Sequence, residues 1–404
     1  MISVEEALAR LLALLAPVGV EQVSIANAFG RVLAEDVVAR RTQPPAALSA
    51  MDGYAVRTED VSTVPARLRV VGSVPAGKSH PGLVGRGEAV RIFTGAPLPE
   101  GTDTIVIQED ADRDGDWVVV REGAPEGRYV RPAGLDFVAG KVGVPAGRRL
   151  TARDIGLAAA MDRPWAMVRR RPRVAILATG DEVVMPGDPV GPNQIVSSNS
   201  LALGAFVRAC GAEPLQLGIA ADDLGSLRRA AEGASGADLL VTTGGASVGE
   251  HDLVREALGA DGLKLDFWTI AMRPGKPLMV GRYRDTVLVG LPGNPVSSLV
   301  CALIFLKPAI ERLSGLARAS EPLPTARLAV PVEANDRRQD YLRATLARAA
   351  DGVLEATPFK KQDSSMLSLL AQSDCLVIRP PHAPPAKAGD TVSIIPLGGD
   401  AFPV

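Results

Sequence analysis

The sequence predicts a multidomain protein of the α/β plus β class, with a central parallel α/β domain flanked by small β-domains and an N-terminal helical segment. Two observations carry that prediction. Across residues 171–320, short apolar strands alternate with helical stretches, and a polar or glycine-rich loop follows each strand; that alternation is the mark of a parallel sheet with crossover helices. On either side of it, residues 51–140 and 321–404 consist of short β-prone runs broken by Gly and Pro, the pattern of small β-domains. A chain of 404 residues suits about two to four domains.

The elements follow in chain order. Ala7, Leu11, Leu12 and Leu15 recur at helical spacing and predict an amphipathic first helix. Residues 1–50 end in the Pro-rich stretch Gln43-Pro44-Pro45. The runs Arg67–Val71 and Trp117–Arg121 mark strands of the first β-domain, 51–140. Residues 141–170 return to helix at Thr151–Met161. That helix is expected to pack back on the first one, giving a discontinuous domain of 1–50 with 141–170 and making 51–140 an insertion. In the central domain the strands are Val174–Ala178, Leu215–Ala220, Leu239–Thr243 and Thr286–Gly290. The helices are Leu201–Cys210, Leu224–Ala234, Asp252–Leu258 and a last one running to Phe305. Arg327–Val332, Tyr341–Ala347, Cys375–Arg379 and Thr391–Pro396 are the strands expected of the C-terminal β-domain, 321–404.

Bulk properties exclude several classes. Aromatics make up only 4% of the chain against 47% hydrophobic residues, so the cores must be aliphatic and alanine-rich. A net charge of −2 argues against nucleic acid as the main partner, because phosphate binding needs a basic surplus. Cys210, Cys301 and Cys375 stand far apart, which suits packed reduced thiols and neither a disulfide framework nor a zinc knot. His80, His251 and His382 are too few for a histidine-rich metal site. The N-terminus lacks a basic n-region, and no apolar run reaches the ~20 residues that span a bilayer. The expected location is the cytoplasm, with no membrane contact.

Chemistry is expected at the strand ends, where open α/β sheets bind ligands. Gly244-Gly245 with Ser247, between a strand and a helix, fit a phosphate-type loop in which backbone N–H groups approach an anion, or an ordinary Gly-rich strand-to-helix turn. Asp252 at its end suits either an N-cap or Mg2+ beside a pyrophosphate. Thr179-Gly180-Asp181-Glu182 puts a hydroxyl and two carboxylates at another strand end, fitting Mg2+, the N–H groups of a ligand, or a capped helix start. Asp222-Asp223 reads first as an N-cap. Arg273 and Lys276 are two cations in a Pro/Gly-stiffened loop, suited to an oxyanion or to a solvated turn. Pro292, Asn294, Pro295 and Ser297 end a strand and open a helix: Asn294 fits the cap, Pro295 the first turn, and Ser297 the exposed N–H groups.

Taken in order, SAMDGYAVR (49–57), RIFTGAP (91–97), RPAGLD (131–136), ATGDE (178–182), LGIAADD (217–223), TTGGASVGEHD (242–252), RPGKP (273–277) and LPGNPVS (291–297) resemble the MoeA/gephyrin E-domain family, the molybdopterin molybdenumtransferases. The resemblance covers most of the chain. It implies a molybdopterin-binding central domain and a homodimer whose active cleft is shared between subunits. The implied reaction is insertion of molybdate into adenylyl-molybdopterin with release of AMP, using Mg2+. Carried over residue by residue, it implies catalytic roles for Asp52, Thr94, Asp136, Glu182, Asp222 and Asp252, with Asp252 and Glu182 as Mg2+ ligands. Proteins acting before and after this step in cofactor biosynthesis are the implied partners. Where many members have Asp before Ser/Thr-Asn, this chain has Ser197-Ser198-Asn199, so Ser197 is given no catalytic role. Three alternatives compete. A molybdopterin adenylyltransferase lacks the flanking β-domains, a nucleotide pyrophosphatase needs no pterin, and a scaffold needs no catalysis.

Overall fold

The computed structural model describes residues 1–244, 253–317 and 322–398. Its centre is a six-stranded sheet: β1 (Arg173–Thr179), β2 (Glu213–Ala220), β3 (Leu239–Thr243), β4 (Leu263–Thr269), β5 (Pro277–Tyr283) and β6 (Thr286–Leu291). The spatial order is β2-β1-β3-β6-β5-β4. The first four strands are parallel, and β5 and β4 complete the sheet antiparallel to their neighbours. The sheet is therefore mixed, where the loop pattern predicts a parallel one. The missing strands flank the loop Arg273–Pro277, and β4 begins by alternating half-buried and exposed residues, as an edge strand does.

The inner strands read as continuous apolar runs because both faces are covered. Alternate residues point to opposite faces. Val174, Ile176 and Val241 pack with Leu203, Phe206 and Val207 of the helix Asn199–Ala209, and with the helical stretch 295–313. Ala175, Leu177 and Leu240 pack on Leu227 and Ala231 of one helix, and on Val254, Ala257 and Leu258 of the next. The helix opened by Pro295 runs through a wider turn at Ala302–Leu306 and ends at Leu313, beyond the expected Phe305.

The first helix, Val4–Ala13, is capped by the Ser3 hydroxyl. Its buried stripe of Val4, Ala7 and Leu11 joins the core of the central sheet, while Leu12 is only half-buried. The helix Ala152–Ala160, closed by a Thr151–Asp154 capping box, lies in a separate core with Leu33, Val37 and Val168. The sequence pattern predicts these two helices packed on each other; their apolar stripes serve different cores. Strand Val20–Ser24 instead pairs antiparallel with Trp165–Arg169, which brings the two ends of the intervening chain together.

Between them lies a six-stranded sheet containing Gly53–Val56, Ala66–Val74, Glu88–Ile92 and Trp117–Val120. The C-terminal sheet contains Thr325–Leu328, Gln339–Arg348, Cys375–Arg379 and Thr391–Pro396. The expected strand to Val332 stops at Leu328, and Val332 makes a single bridge to Ala386. Met272-Arg273 adds to this sheet beside Gln339-Asp340, stitching the RPGKP loop to the C-terminal domain. All three cysteines are free and buried. No helix among the described residues is long and apolar enough to cross a membrane.

Candidate functional site

Two backbone approaches shape the carboxyl edge of the sheet. Gly244, just past β3, has a φ of +91°, and a Cβ there would lie 2.6 Å from the Thr179 carbonyl oxygen at the end of β1. A Cβ on Gly293, past β6, would lie 3.6 Å from the Gly244 Cα. The three strand ends thus meet backbone to backbone. Asn199 ties them together: its Nδ2 donates to Thr243 Oγ1 at 2.8 Å and to the Gly293 carbonyl at 2.7 Å.

Above these glycines opens a cavity of about 660 Å³, large enough for a cofactor-sized ligand. Thr179, Glu182, Gly244, Pro292, Asn294, Pro295 and Ser297, all singled out in the sequence, line it. The Thr179 hydroxyl is buried with no hydrogen-bond partner among the described residues, a group that a ligand would satisfy. The backbone of Gly180 has a φ of +133°, and the Glu182 carboxylate folds back to within 2.5 Å of where its Cβ would be. Asn294 occupies the N-cap position, but its side chain makes no cap bond; it donates to Ser364 Oγ at 2.9 Å, across to the C-terminal domain.

Other expected residues stand outside the cavity wall. Asp181 and Asp222 exchange backbone hydrogen bonds. The Asp222 N–H donates to Asp181 Oδ1 at 3.0 Å and the Asp181 N–H to Asp222 Oδ2 at 3.4 Å, locking the ends of β1 and β2. The cap of the following helix is Asp223, which accepts from the Ser226 N–H at 2.8 Å. Arg273 turns to the C-terminal domain and forms a two-pronged ion pair with the buried Asp340 carboxylate. Lys276 is exposed, next to the cavity-lining Pro277. Gly245, Ser247 and Asp252 lie outside the described residues. Among the described residues no group of three or more His, Cys, Asp or Glu is arranged to hold a metal.

The inserted β-domain carries a second cluster. Gly53 pairs with Ile92 and with Ile107, and a Cβ on it would fall 2.0 Å from the Val106 carbonyl, so only glycine fits between these strands. That pairing brings together Asp52 and Thr94, 42 residues apart: Asp52 Oδ1 accepts the Thr94 N–H and hydroxyl, each at 2.8 Å. The Thr94 N–H, then its hydroxyl, and the nearby Arg91 charge hold the Asp52 carboxyl below its usual range. Asp136 is exposed on its own loop, its N–H bonded to the Gln43 carbonyl. None of the three lines the cavity of this chain.

Several cavity residues went unnoticed in the sequence. Ile195 and Val196 line it from a short parallel pair with Val183 and Val184. Ser197, passed over for catalysis, lies in the wall with its hydroxyl 2.9 Å from that of Ser200. Ser365 enters from the C-terminal domain. Its loop is held by Arg343, a fully buried guanidinium that donates to the Met366 and Asp363 carbonyls, each at 3.0 Å.

A cavity at the carboxyl edge of a doubly covered α/β sheet, closed on one side by a β-domain loop, defines a small-molecule-binding protein of the α/β class. The family models narrow the class. The MoeA N-terminal region (domain I and II) matches residues 2–161, the probable molybdopterin binding domain 175–312, and the MoeA C-terminal region (domain IV) 325–397. A molybdopterin molybdenumtransferase of Nostoc sp. is 37% identical over 390 residues, covering 93% of this chain and 88% of its own length. Molybdopterin molybdenumtransferase 2 of Mycobacterium tuberculosis is 36% identical, covering 92% of this chain and 94% of its own. The structure of a molybdopterin biosynthesis MoeA protein from Pyrococcus horikoshii superposes with a TM-score of 0.85 at 31% identity, covering 99% of this chain and 100% of that one. The chain belongs to the molybdopterin molybdenumtransferase family, and it is an enzyme of the transferase class.

Proposed function

We propose that the protein inserts molybdate into adenylyl-molybdopterin and releases AMP, yielding the molybdenum cofactor. The observation that carries this reading is the convergence on one cavity of three wall segments from the region matched by the molybdopterin-binding model, Thr179 with Glu182, Gly244, and Pro292–Ser297, joined by Ser365 from the C-terminal region. Molybdate is a tetrahedral dianion and needs several hydrogen-bond donors at once. The hydroxyls of Thr179, Ser297 and Ser365 and the ammonium of Lys276 are of the right kind. In this reading Arg273 acts through its loop, which Asp340 fastens, and does not itself touch the oxyanion. The pterin phosphate and the adenylate lie along Gly244, Gly245 and Ser247.

Glu182 offers the hard oxygen donor that Mg2+ prefers, and it makes no ion pair among the described residues. Glu182 with Asp252 would hold Mg2+, which supplies charge neutralisation of the pyrophosphate. Asp52, Thr94, Asp136 and Asp222 are assigned to the same reaction. Since Asp52 and Thr94 sit away from the cavity of their own chain, a homodimer in which they face the partner's cavity gives them a place. The proteins that make adenylyl-molybdopterin and that accept the finished cofactor are the natural partners, in the cytoplasm.

The test is molybdate-dependent AMP release from adenylyl-molybdopterin with Mg2+, beside Glu182→Gln and Asp252→Ala. Release that requires molybdate and is lost in the variants supports the reading. Hydrolysis at full rate without molybdate removes the coupling, and bound substrate with no release favours a binding role.

A further inference from the structure

We propose that Arg91 is a positioning residue for Asp52, fastening the successive carbonyls of Asp52 and Gly53 from one stacked guanidinium. The inference rests on the reading of Asp52 as part of the reaction site. Arg91 Nη1 donates to the carbonyl of Gly53, the residue after Asp52, at 2.9 Å. Its Nη2 donates to Gln108 Oε1 at 2.7 Å, and the Gln108 N–H donates to the Asp52 carbonyl at 3.1 Å. The strand that carries Arg91 also delivers Thr94 to Asp52 Oδ1. One side chain therefore holds the Gly53 carbonyl directly and the Asp52 carbonyl through Gln108, and Asp52 Oδ2, which accepts no hydrogen bond among the described residues, is left for a ligand.

The guanidinium is itself held. Its central carbon lies 5.2 Å from the Tyr54 ring centre and 4.7 Å from that of Phe93. Contact with two rings orients the planar fork, and a lysine ammonium has neither the plane nor the second prong. Arg91 forms no ion pair among the described residues, so its charge remains available to favour the ionised form of Asp52, consistent with the low range in which that acid is held.

Amide exchange of the Thr94 N–H, read by NMR in protein labelled with 15N-threonine, tests the strap without any turnover. Arg91→Met and Arg91→Lys should both speed that exchange about tenfold or more, with Thr104 and Thr179 unchanged as a check on the fold. Gln108→Met, which cuts one strap and leaves the guanidinium stacked, should show a smaller increase. Unchanged Thr94 exchange in folded Arg91→Met, or full rescue by lysine, overturns the proposal. Turnover gives the second arm. Arg91→Met should lower kcat about tenfold with KM nearly constant, and should add less than about twofold in an Asp52→Asn background. Equal losses in both backgrounds mean that Arg91 acts independently of Asp52 and overturn the positioning role. Full turnover by Asp52→Asn alone overturns the assignment of Asp52 itself, a result that the exchange measurement distinguishes from failure of the strap.

Discussion

Thr179 and Gly244 end neighbouring parallel strands so close together that no side chain fits between them. A Cβ at 244 would meet the Thr179 carbonyl oxygen at 2.6 Å and its hydroxyl at 2.9 Å, on a backbone already at a φ of +91°. Gly244→Ala should therefore cost about 1–3 kcal/mol from the backbone conformation and the collision together, and should push Thr179 into the cavity. Gly293→Ala is the control, because its new methyl meets only an ordinary contact at 3.6 Å. Urea unfolding midpoints and molybdate titration should separate the two variants. Equal behaviour would mean that the strand ends have slack.

The Arg273–Asp340 pair is asymmetric. The Asp340 side chain is 3% exposed and the Arg273 side chain 46%. Removing the arginine strands a buried carboxylate, whereas removing the acid releases a guanidinium that water can reach. Arg273→Met should thus lose about 2 kcal/mol or more, and Asp340→Asn distinctly less. The comparison is again a pair of denaturant midpoints. A larger loss from Asp340→Asn would show that the guanidinium, not the carboxylate, is the stranded group.

The alternation of strand and helix in the central domain was legible because β1, β3 and β6 are buried on both faces and so read as unbroken apolar runs. Strand β4 was not, because an edge strand with a half-wet face carries residues such as Lys264 and Asp266 that dilute the signal. Asp181 and Asp222 were legible as acids at strand ends, yet nothing local shows that each spends an oxygen on the other's backbone. The Asn294–Ser364 bond, 70 residues long in sequence, is what draws Ser365 to the cavity. Such a contact is a product of domain packing and leaves no trace in spacing or composition.

The Asp52 carboxyl should titrate below the ordinary aspartate range, and the order of causes predicts how a variant shifts it. The backbone N–H of Thr94 contributes most and its hydroxyl next. Thr94→Val deletes only the hydroxyl, so the carboxyl should move up part of the way towards ~3.9 and no further. The sign for stability follows: a depressed folded value makes this contribution complete above the unfolded value, near pH ~4, and lost as pH falls through the folded one. Any rate loss that depends on Asp52 protonation should therefore lie in the acid range, outside pH 5–8. Carbon-13 NMR of the Asp52 carboxylate checks both statements. A midpoint at or above ~3.9 in the wild type would contradict the first, and one above ~5 both.

Ser365 and Arg343 divide affinity from architecture in the C-terminal wall. Ser365 is exposed, lines the cavity, and among the described residues donates only to the neighbouring Asp363 carboxylate. Ser365→Ala should weaken binding of molybdate or the adenylylated pterin about fivefold, the worth of one hydrogen bond near 1 kcal/mol, with unfolding unchanged. Arg343 is buried, and burial pulls its guanidinium below the usual arginine range. Its donors satisfy the Met366 and Asp363 carbonyls, and Gln362 closes the ring by donating to the Arg343 carbonyl at 3.0 Å. Arg343→Met leaves those acceptors unpaired inside the domain and should cost about 3 kcal/mol or more, loosening the loop that carries Ser365. Arg343→Met should then lower affinity at least as much as Ser365→Ala, and adding Ser365→Ala to it should cost little more, because the hydroxyl has already left the wall. Calorimetric titration across the two single variants and the double variant reads this directly. Full additivity would mean that Ser365 reaches the ligand without help from the buried arginine.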